Sequence, residues 1–198
     1  MNEEVELKVI LLGEAATGKT SLINVTIGKK FNPMQTPTVS SSYVTKSFTI
    51  GKTQYNINLW DTIGQESLRA LTEIFIRDSQ IVVFTYDITN RKSFEELEFW
   101  FQKAEGILGN EPIYAIVANK SDLYMEENVK ETELKEYANK KKCPYKYTSA
   151  TNPNSFISFL ETLLENYINK NEGKSGKIKG IKLTNDNNGQ NGKRRKCC

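Results

Sequence analysis

Residues Gly13-Glu14-Ala15-Ala16-Thr17-Gly18-Lys19-Thr20 follow the pattern G-x-x-x-x-G-K-[ST] and constrain the chain more than any other stretch. The pattern works as the turn between a strand and a helix, where backbone N–H groups and the helix N-terminus converge on an anion. Val5 to Leu12 before it is a β-branched and leucine-rich run of strand length, and helix-compatible sequence begins at Lys19. In that setting the loop wraps phosphate oxygens. Lys19 sets a charge against the terminal phosphates, and the Thr20 hydroxyl binds Mg²⁺.

Strands and helices alternate along the rest of the chain. Tyr43 to Ile50 and Gln54 to Asp61 are strand candidates joined by Gly51-Lys52, a hairpin signal that predicts antiparallel pairing. Ser67 to Ile76 reads helical, and Ile81 to Asp87 is a buried strand. Ser93 opens a helix with Glu96 at capping-box spacing, and Gly106 or Gly109 ends it. Ile113 to Asn119 is another apolar strand, Glu131 to Lys142 a helix, Tyr145 to Ser149 a short strand and Asn154 to Asn169 an amphipathic last helix. Near-continuous apolar strands separated by helices predict an α/β doubly wound fold, a mostly parallel six-stranded sheet with one antiparallel edge strand. Ligands in such sheets bind beyond the carboxyl ends of the strands.

The 198 residues fit one compact domain, 1–169, followed by a tail, 170–198. The tail carries nine basic groups against two acids, a net of +7, which leaves −4 on the rest of a chain whose total is +3. The basic balance therefore belongs to the tail and does not make the body a nucleic-acid binder. From Asn171 the composition turns to Gly, Lys, Asn and Ser, which predicts a disordered tether. Three cysteines make no disulfide framework and point to a reducing compartment. The acidic start (Met1, Asn2, Glu3, Glu4) and the lack of a long apolar run predict neither a signal peptide nor a membrane span.

Two further motifs end predicted strands on the same side as the phosphate loop. In Asn119-Lys120-Ser121-Asp122 the carboxylate can accept from the N1–H and amino group of guanine, where adenine presents an acceptor at N1. In Trp60-Asp61-Thr62-Ile63-Gly64-Gln65-Glu66, Asp61 is placed to hold Mg²⁺ through a water, Gly64 to offer its N–H to a terminal phosphate and Gln65 to orient the attacking water. Asp61 also reads as a helix N-cap, a role compatible with the first, though the full run argues against the cap alone.

Together these residues resemble the small GTPases of the Ras superfamily, and the tail narrows the likeness to the Rab branch. The resemblance covers about residues 7 to 169 and the two terminal cysteines. It implies the P-loop NTPase fold, with GTP/GDP and Mg²⁺ as ligands. It implies nucleotide contacts from Gly13 through Thr20 and Ser21, from Phe31 at the guanine edge, and from Asn119, Lys120 and Asp122. Ser149, Ala150 and Thr151, after Thr148, complete the base site, with the Ala150 N–H on the guanine oxygen. Thr38, in Thr36-Pro37-Thr38, is the switch I threonine that reaches Mg²⁺ and the terminal phosphate. Phe31 also reads as core and Ser149 as a helix-side cap. The ending Lys193-Arg194-Arg195-Lys196-Cys197-Cys198 looks like a Rab prenylation site, which would anchor the chain through lipid beside a polybasic patch. Without the resemblance, Cys197 and Cys198 are two free thiols on a frayed end.

The resemblance implies a monomeric guanine-nucleotide switch in membrane traffic, on the cytoplasmic face of an endomembrane or vesicle with a cytosolic extracted pool. Its partners would be effector proteins, an exchange factor, a GTPase-activating protein and a prenyl-binding extraction factor. Three departures stand out. Ala15 lies where Ras-like members have Gly and Rabs often Ser or Cys, which predicts slow intrinsic turnover. Ile63 replaces the usual alanine of D-T-A-G-Q, and Val39-Ser40-Ser41-Ser42-Tyr43 and Ser67-Leu68 depart from the surface that effectors read. A nearly non-hydrolysing, GTP-loaded membrane recruiter is the second reading. A P-loop kinase has no support, since no acceptor lid is apparent.

Overall fold

The computed structural model describes residues 3–38, 42–62 and 72–178. Six strands, β1 (Glu3–Leu12), β2 (Ser42–Ile50), β3 (Thr53–Asp61), β4 (Ile81–Asp87), β5 (Ile113–Asn119) and β6 (Tyr145–Tyr147), form one sheet in the order β2-β3-β1-β4-β5-β6. Every pairing is parallel except β2 with β3, whose register sets Ile50 opposite Thr53 across a two-residue turn. The expected doubly wound sheet with one antiparallel edge is what forms.

The uninterrupted apolar runs are explained by helices on both faces. Along β4, Ile81 and Val83 face α1 (Lys19–Thr26) and α6 (Pro153–Ile178), while Val82, Phe84 and Tyr86 face the other side. That second layer holds α2 (Thr72–Ile76), α3 (Arg91–Glu95), α4 (Leu97–Leu108) and α5 (Glu131–Lys141). Its centre is Trp100 and Phe101, both without exposed surface, with Phe101 stacked on Phe84 at 3.7 Å between centroids. Among the described residues no helix is long and apolar enough to cross a membrane.

The structure departs from expectation at four boundaries. Asn90, not Ser93, caps α3, accepting from the Ser93 N–H at 3.4 Å. The Ser93 hydroxyl is taken up instead by the end of β4, where it accepts from the Asp87 N–H at 3.0 Å. The helical run then breaks at Glu96 and resumes as α4, which stops at Gly109. β6 ends at Tyr147 rather than Ser149, because after the Thr148 N–H donates to the Ala118 carbonyl the chain leaves β5: the Thr148 carbonyl accepts from the Ser121 N–H and Ser149 pairs with Asn152 in a turn. The last helix starts at Pro153 and runs past Asn169 to Ile178, into the segment where composition predicts a tether. Lys170 stands within that extension and donates to the carbonyls of Asn110, Glu111 and Pro112 at 3.1, 2.8 and 3.3 Å. Once the packed turns have nucleated the helix, polar residues extend it at little cost. The helix expected over Ser67 to Ile76 is described from Thr72 onward; the basic run and Cys197 and Cys198 lie outside the described residues.

Candidate guanine-nucleotide site

The loops at the carboxyl ends of β1, β3, β5 and β6, together with the segment that follows α1, line a cleft of about 570 Å³ over the top of the sheet. The phosphate loop forms one wall. Gly13 (φ +146°) and Gly18 (φ +91°) are required there, since a Cβ at Gly13 would strike the Thr85 carbonyl and one at Gly18 the Asn119 amide. Ala16 adopts a left-handed φ of 62° at the loop's crest. Ala15, Ala16, Gly18, Lys19, Thr20 and Ser21 line the cleft. Gly13, Glu14 and Thr17 stand behind that wall: Gly13 is packed on Thr85, and the Thr17 hydroxyl donates back to the Glu14 carbonyl at 3.0 Å.

Lys19 is 5% exposed, and its ammonium donates to the Gly13 and Glu14 carbonyls, each at 2.8 Å. Burial pulls its pKa from 10.5 down to about 8, against the raising effect of the Asp61 and Glu14 carboxylates. This is a preorganised cation with capacity for an anion in the cleft.

Beside it, the Thr20 and Thr38 hydroxyl oxygens are 2.7 Å apart, and Thr38 donates to Asp61 Oδ2 at 3.5 Å. Asp61 closes β3 and is 6% exposed, and its Oδ1 has no hydrogen-bond partner among the described residues. Burial raises its carboxyl pKa, opposed chiefly by the Thr20 hydroxyl and the Lys19 charge. Adjacent ligand oxygens around an octahedral Mg²⁺ with bonds of about 2.05 Å stand about 2.9 Å apart. Two hydroxyls at nearly that spacing and a buried carboxylate with an idle oxygen fit Mg²⁺, which would also offset the cost of burying Asp61. Gly64, Gln65 and Ile63 lie outside the described residues.

The opposite end is a side-chain network at the tips of β5 and β6. Asn119, 1% exposed, donates from Nδ2 to the Thr17 carbonyl at 2.7 Å and accepts at Oδ1 from the Thr148 hydroxyl at 3.1 Å. One amide thus ties the phosphate loop to both strands. Lys120 turns the corner with a left-handed φ of 63°, and its ammonium pairs with Asp87 Oδ2 at 2.6 Å. Asp122 accepts from the Ser149 hydroxyl, which is 2.7 Å from the Thr151 hydroxyl and accepts from the Thr151 N–H at 3.0 Å. Phe31 is 44% exposed on the cleft's rim, so it is not a core residue. Ser149, Ala150 and Thr151 line the cleft.

Sequence reasoning missed Asn32, Pro33, Gln35, Leu123 and Thr62 on the cleft wall, and Asp87 behind Lys120. Leu123 follows Asp122 as an apolar residue in a polar turn, a signal that was legible. Asp87 reads only as the end of an apolar strand.

A model of the Ras family matches residues 8–169. The chain belongs to the Ras family. Its relatives place it in the Rab branch: Ras-related protein Rab-21 of Bos taurus is 41% identical over 143 residues, covering 72% of this chain and 64% of the relative. The Homo sapiens protein of the same name shows the same figures. Rab-21 of Geodia cydonium is 38% identical over 165 residues, 81% of this chain and 72% of the relative. The chain thus spans 64% of the length of the mammalian relatives it matches. The Ras-family match begins within β1 and ends within α6, so it takes in every strand and all the walls of the cleft of this Rab-type chain.

Proposed function

We propose that this Rab-type chain is a guanine-nucleotide switch that binds GTP and GDP with Mg²⁺, hydrolyses GTP slowly and recruits effectors to membranes in vesicle traffic. The observation that carries the reading is the single cleft that joins Lys19, Thr20 and Thr38 at one end to Asn119, Asp122 and Ser149 at the other. Asp122 is an exposed carboxylate on the cleft wall and guanine offers two N–H donors, so guanine pairs where adenine, once it covers the site, would set an acceptor against an acceptor. Such mismatches discriminate by about 10⁴-fold. Phe31 offers an apolar edge for the base. Lys19 and the loop amides hold the phosphates, and Thr20, Thr38 and Asp61 would hold Mg²⁺, which when bound neutralises charge on the phosphate oxygens.

The remainder of the proposal rests on the sequence. Gly64 and Gln65 meet the terminal phosphate and the attacking water, Thr38 and Gly64 let go after hydrolysis, and effectors read the ordered form. Prenyl groups on Cys197 and Cys198 attach the chain to the cytoplasmic face of an endomembrane or vesicle. An exchange factor, a GTPase-activating protein and a prenyl-binding extraction factor set its cycle, the last maintaining a cytosolic pool, and the chain acts as a monomer without nucleic acid.

Ala15 favours a second reading, a long-lived GTP-bound recruiter, because this phosphate-loop residue lines the cleft. Single-turnover phosphate release from GTP-loaded protein with Mg²⁺ tests both. If the wild type hydrolyses and Gln65→Leu does not, the cycling switch holds. If the wild type is as inert as Gln65→Leu while Ala15→Ser is fast, the recruiter holds. Loss of Mg²⁺-dependent GTP binding in the wild type refutes both.

A further inference from the structure

Lys120 occupies the corner between two side chains with fixed duties: Asn119, tied to the phosphate loop, and Asp122, on the cleft wall. Its φ of 63° lies in the region that L side chains rarely adopt, so the surroundings must hold it there. Backbone bonds from Leu123 to the Lys120 carbonyl at 2.8 Å and from Ser121 to the Thr148 carbonyl at 3.0 Å close the corner, and the ion pair of the Lys120 ammonium with Asp87 Oδ2 at 2.6 Å adds to that hold. Asp87 is itself buried and bonded on several sides. It is the last residue of β4 and 6% exposed, its Oδ1 accepts from the Thr89 N–H and hydroxyl at 2.9 and 2.8 Å, and its own N–H donates to Ser93.

The loop that carries Asp87 grips the same segment at two other points. Ile88 donates to the Asn119 carbonyl at 3.1 Å, and Asn128, past the turn that bears Asp122 and Leu123, donates to the Ile88 carbonyl at 2.8 Å. The Asn128 amide reaches the Thr89 carbonyl at 2.6 Å. Closing the local turn to Thr89 needs only one carboxylate oxygen, so the second is committed to Lys120. A charge-assisted bond of this kind is worth more than a neutral one and directs geometry.

We propose that Asp87 is a positioning residue for the base: acting through Lys120, it holds the Asn119–Asp122 corner in its nucleotide-retaining shape and so sets how slowly nucleotide leaves. The inference rests on the guanine-nucleotide reading and adds a residue that never touches the ligand. Dissociation of a fluorescent N-methylanthraniloyl GDP from the full chain with Mg²⁺ tests it, in wild type, Asp87→Asn, Thr89→Ala, Lys120→Met and the Asp87→Asn/Lys120→Met double variant. Asp87→Asn keeps the shape and the acceptor for Thr89 but removes the charge, and it should speed release about tenfold. Thr89→Ala, which weakens the turn and spares the ion pair, should stay within about twofold of wild type. The double variant should release no faster than Lys120→Met alone, whereas a merely structural Asp87 would multiply the two effects.

Release from Asp87→Asn within about twofold of wild type, or an undiminished effect of that change in the Lys120→Met background, overturns the proposal. If Asp87→Asn melts below the assay temperature, Asp87→Ser carries the same comparison, since its hydroxyl still accepts from the Thr89 N–H. A wild-type chain that does not hold the analogue refutes the guanine-nucleotide reading; one that holds it and ignores Asp87→Asn refutes this inference alone.

Discussion

A buried ammonium at Lys19 makes the ligand-free chain sensitive to alkaline pH in a direction opposite to that of most proteins. Burial takes its pKa from 10.5 to about 8, so the folded chain releases this proton at lower pH than the unfolded chain. Between those values the unfolded state binds more protons, and stability rises with pH across the window. At 1.36 kcal/mol per pH unit, the gain from Lys19 saturates at about 3 kcal/mol near pH 10.5. Cys143 works the other way. Burial pushes its thiol from 9.0 up to about 12, the unfolded chain ionises first, and stability falls above pH 9. The measurement is therefore a difference: urea unfolding of nucleotide-free wild type and Lys19→Met, in which titrations uncoupled from Lys19, that of Cys143 among them, cancel. Wild type should gain about 3 kcal/mol on the variant from about pH 7 to pH 10.5. A bound polyphosphate keeps Lys19 charged, so binding above pH 8 takes up a proton and GDP affinity should fall by up to about tenfold per pH unit. A stability difference that stays flat across the window, within about 0.5 kcal/mol, refutes the reasoning that Lys19 carries an unneutralised buried charge.

Gly18→Ala should be more damaging than its size suggests, because the new methyl meets the Asn119 amide at a φ of +91°. Displacing that amide from the Thr17 carbonyl should cost about 2 kcal/mol and weaken GDP binding about tenfold or more; a thermal melt and titration equal to wild type would contradict this. In the layer beneath the base end, Phe101 stacks on Phe84 and lies under the Lys141 ammonium at 4.8 Å. Phe101→Ala should lower unfolding free energy by about 3–5 kcal/mol in a urea titration, and a loss under about 1 kcal/mol would mean that the cavity closes.

Much of this molecule is local and therefore legible in one chain. β4 and β5 fall on Ile81–Asp87 and Ile113–Asn119, the spans that continuous apolar runs between polar breaks predict. The phosphate-loop motif is legible in the same way, since the φ values of its glycines are local, but the close approaches that exclude a Cβ there, Gly13 to Thr85 and Gly18 to Asn119, come from β4 and β5. What the sequence could not decide is which distant groups meet. Thr20 and Thr38 come together where the segment before β2 crosses the start of α1, and Asn119 reaches Thr17 across 102 positions because β1 and β5 flank β4 in the sheet. Ser93 carries a capping pattern but spends its hydroxyl on the end of β4, so the cap passes to Asn90. Lys170 finds three carbonyls before β5, within a helix that continues into a segment whose composition alone predicts disorder. Asp87 gains its partner only when the loops after β4 and β5 are brought side by side. Propensity and motif act over a turn or two of chain, whereas burial and pairing depend on neighbours that the topology selects, and only the folded sheet supplies those.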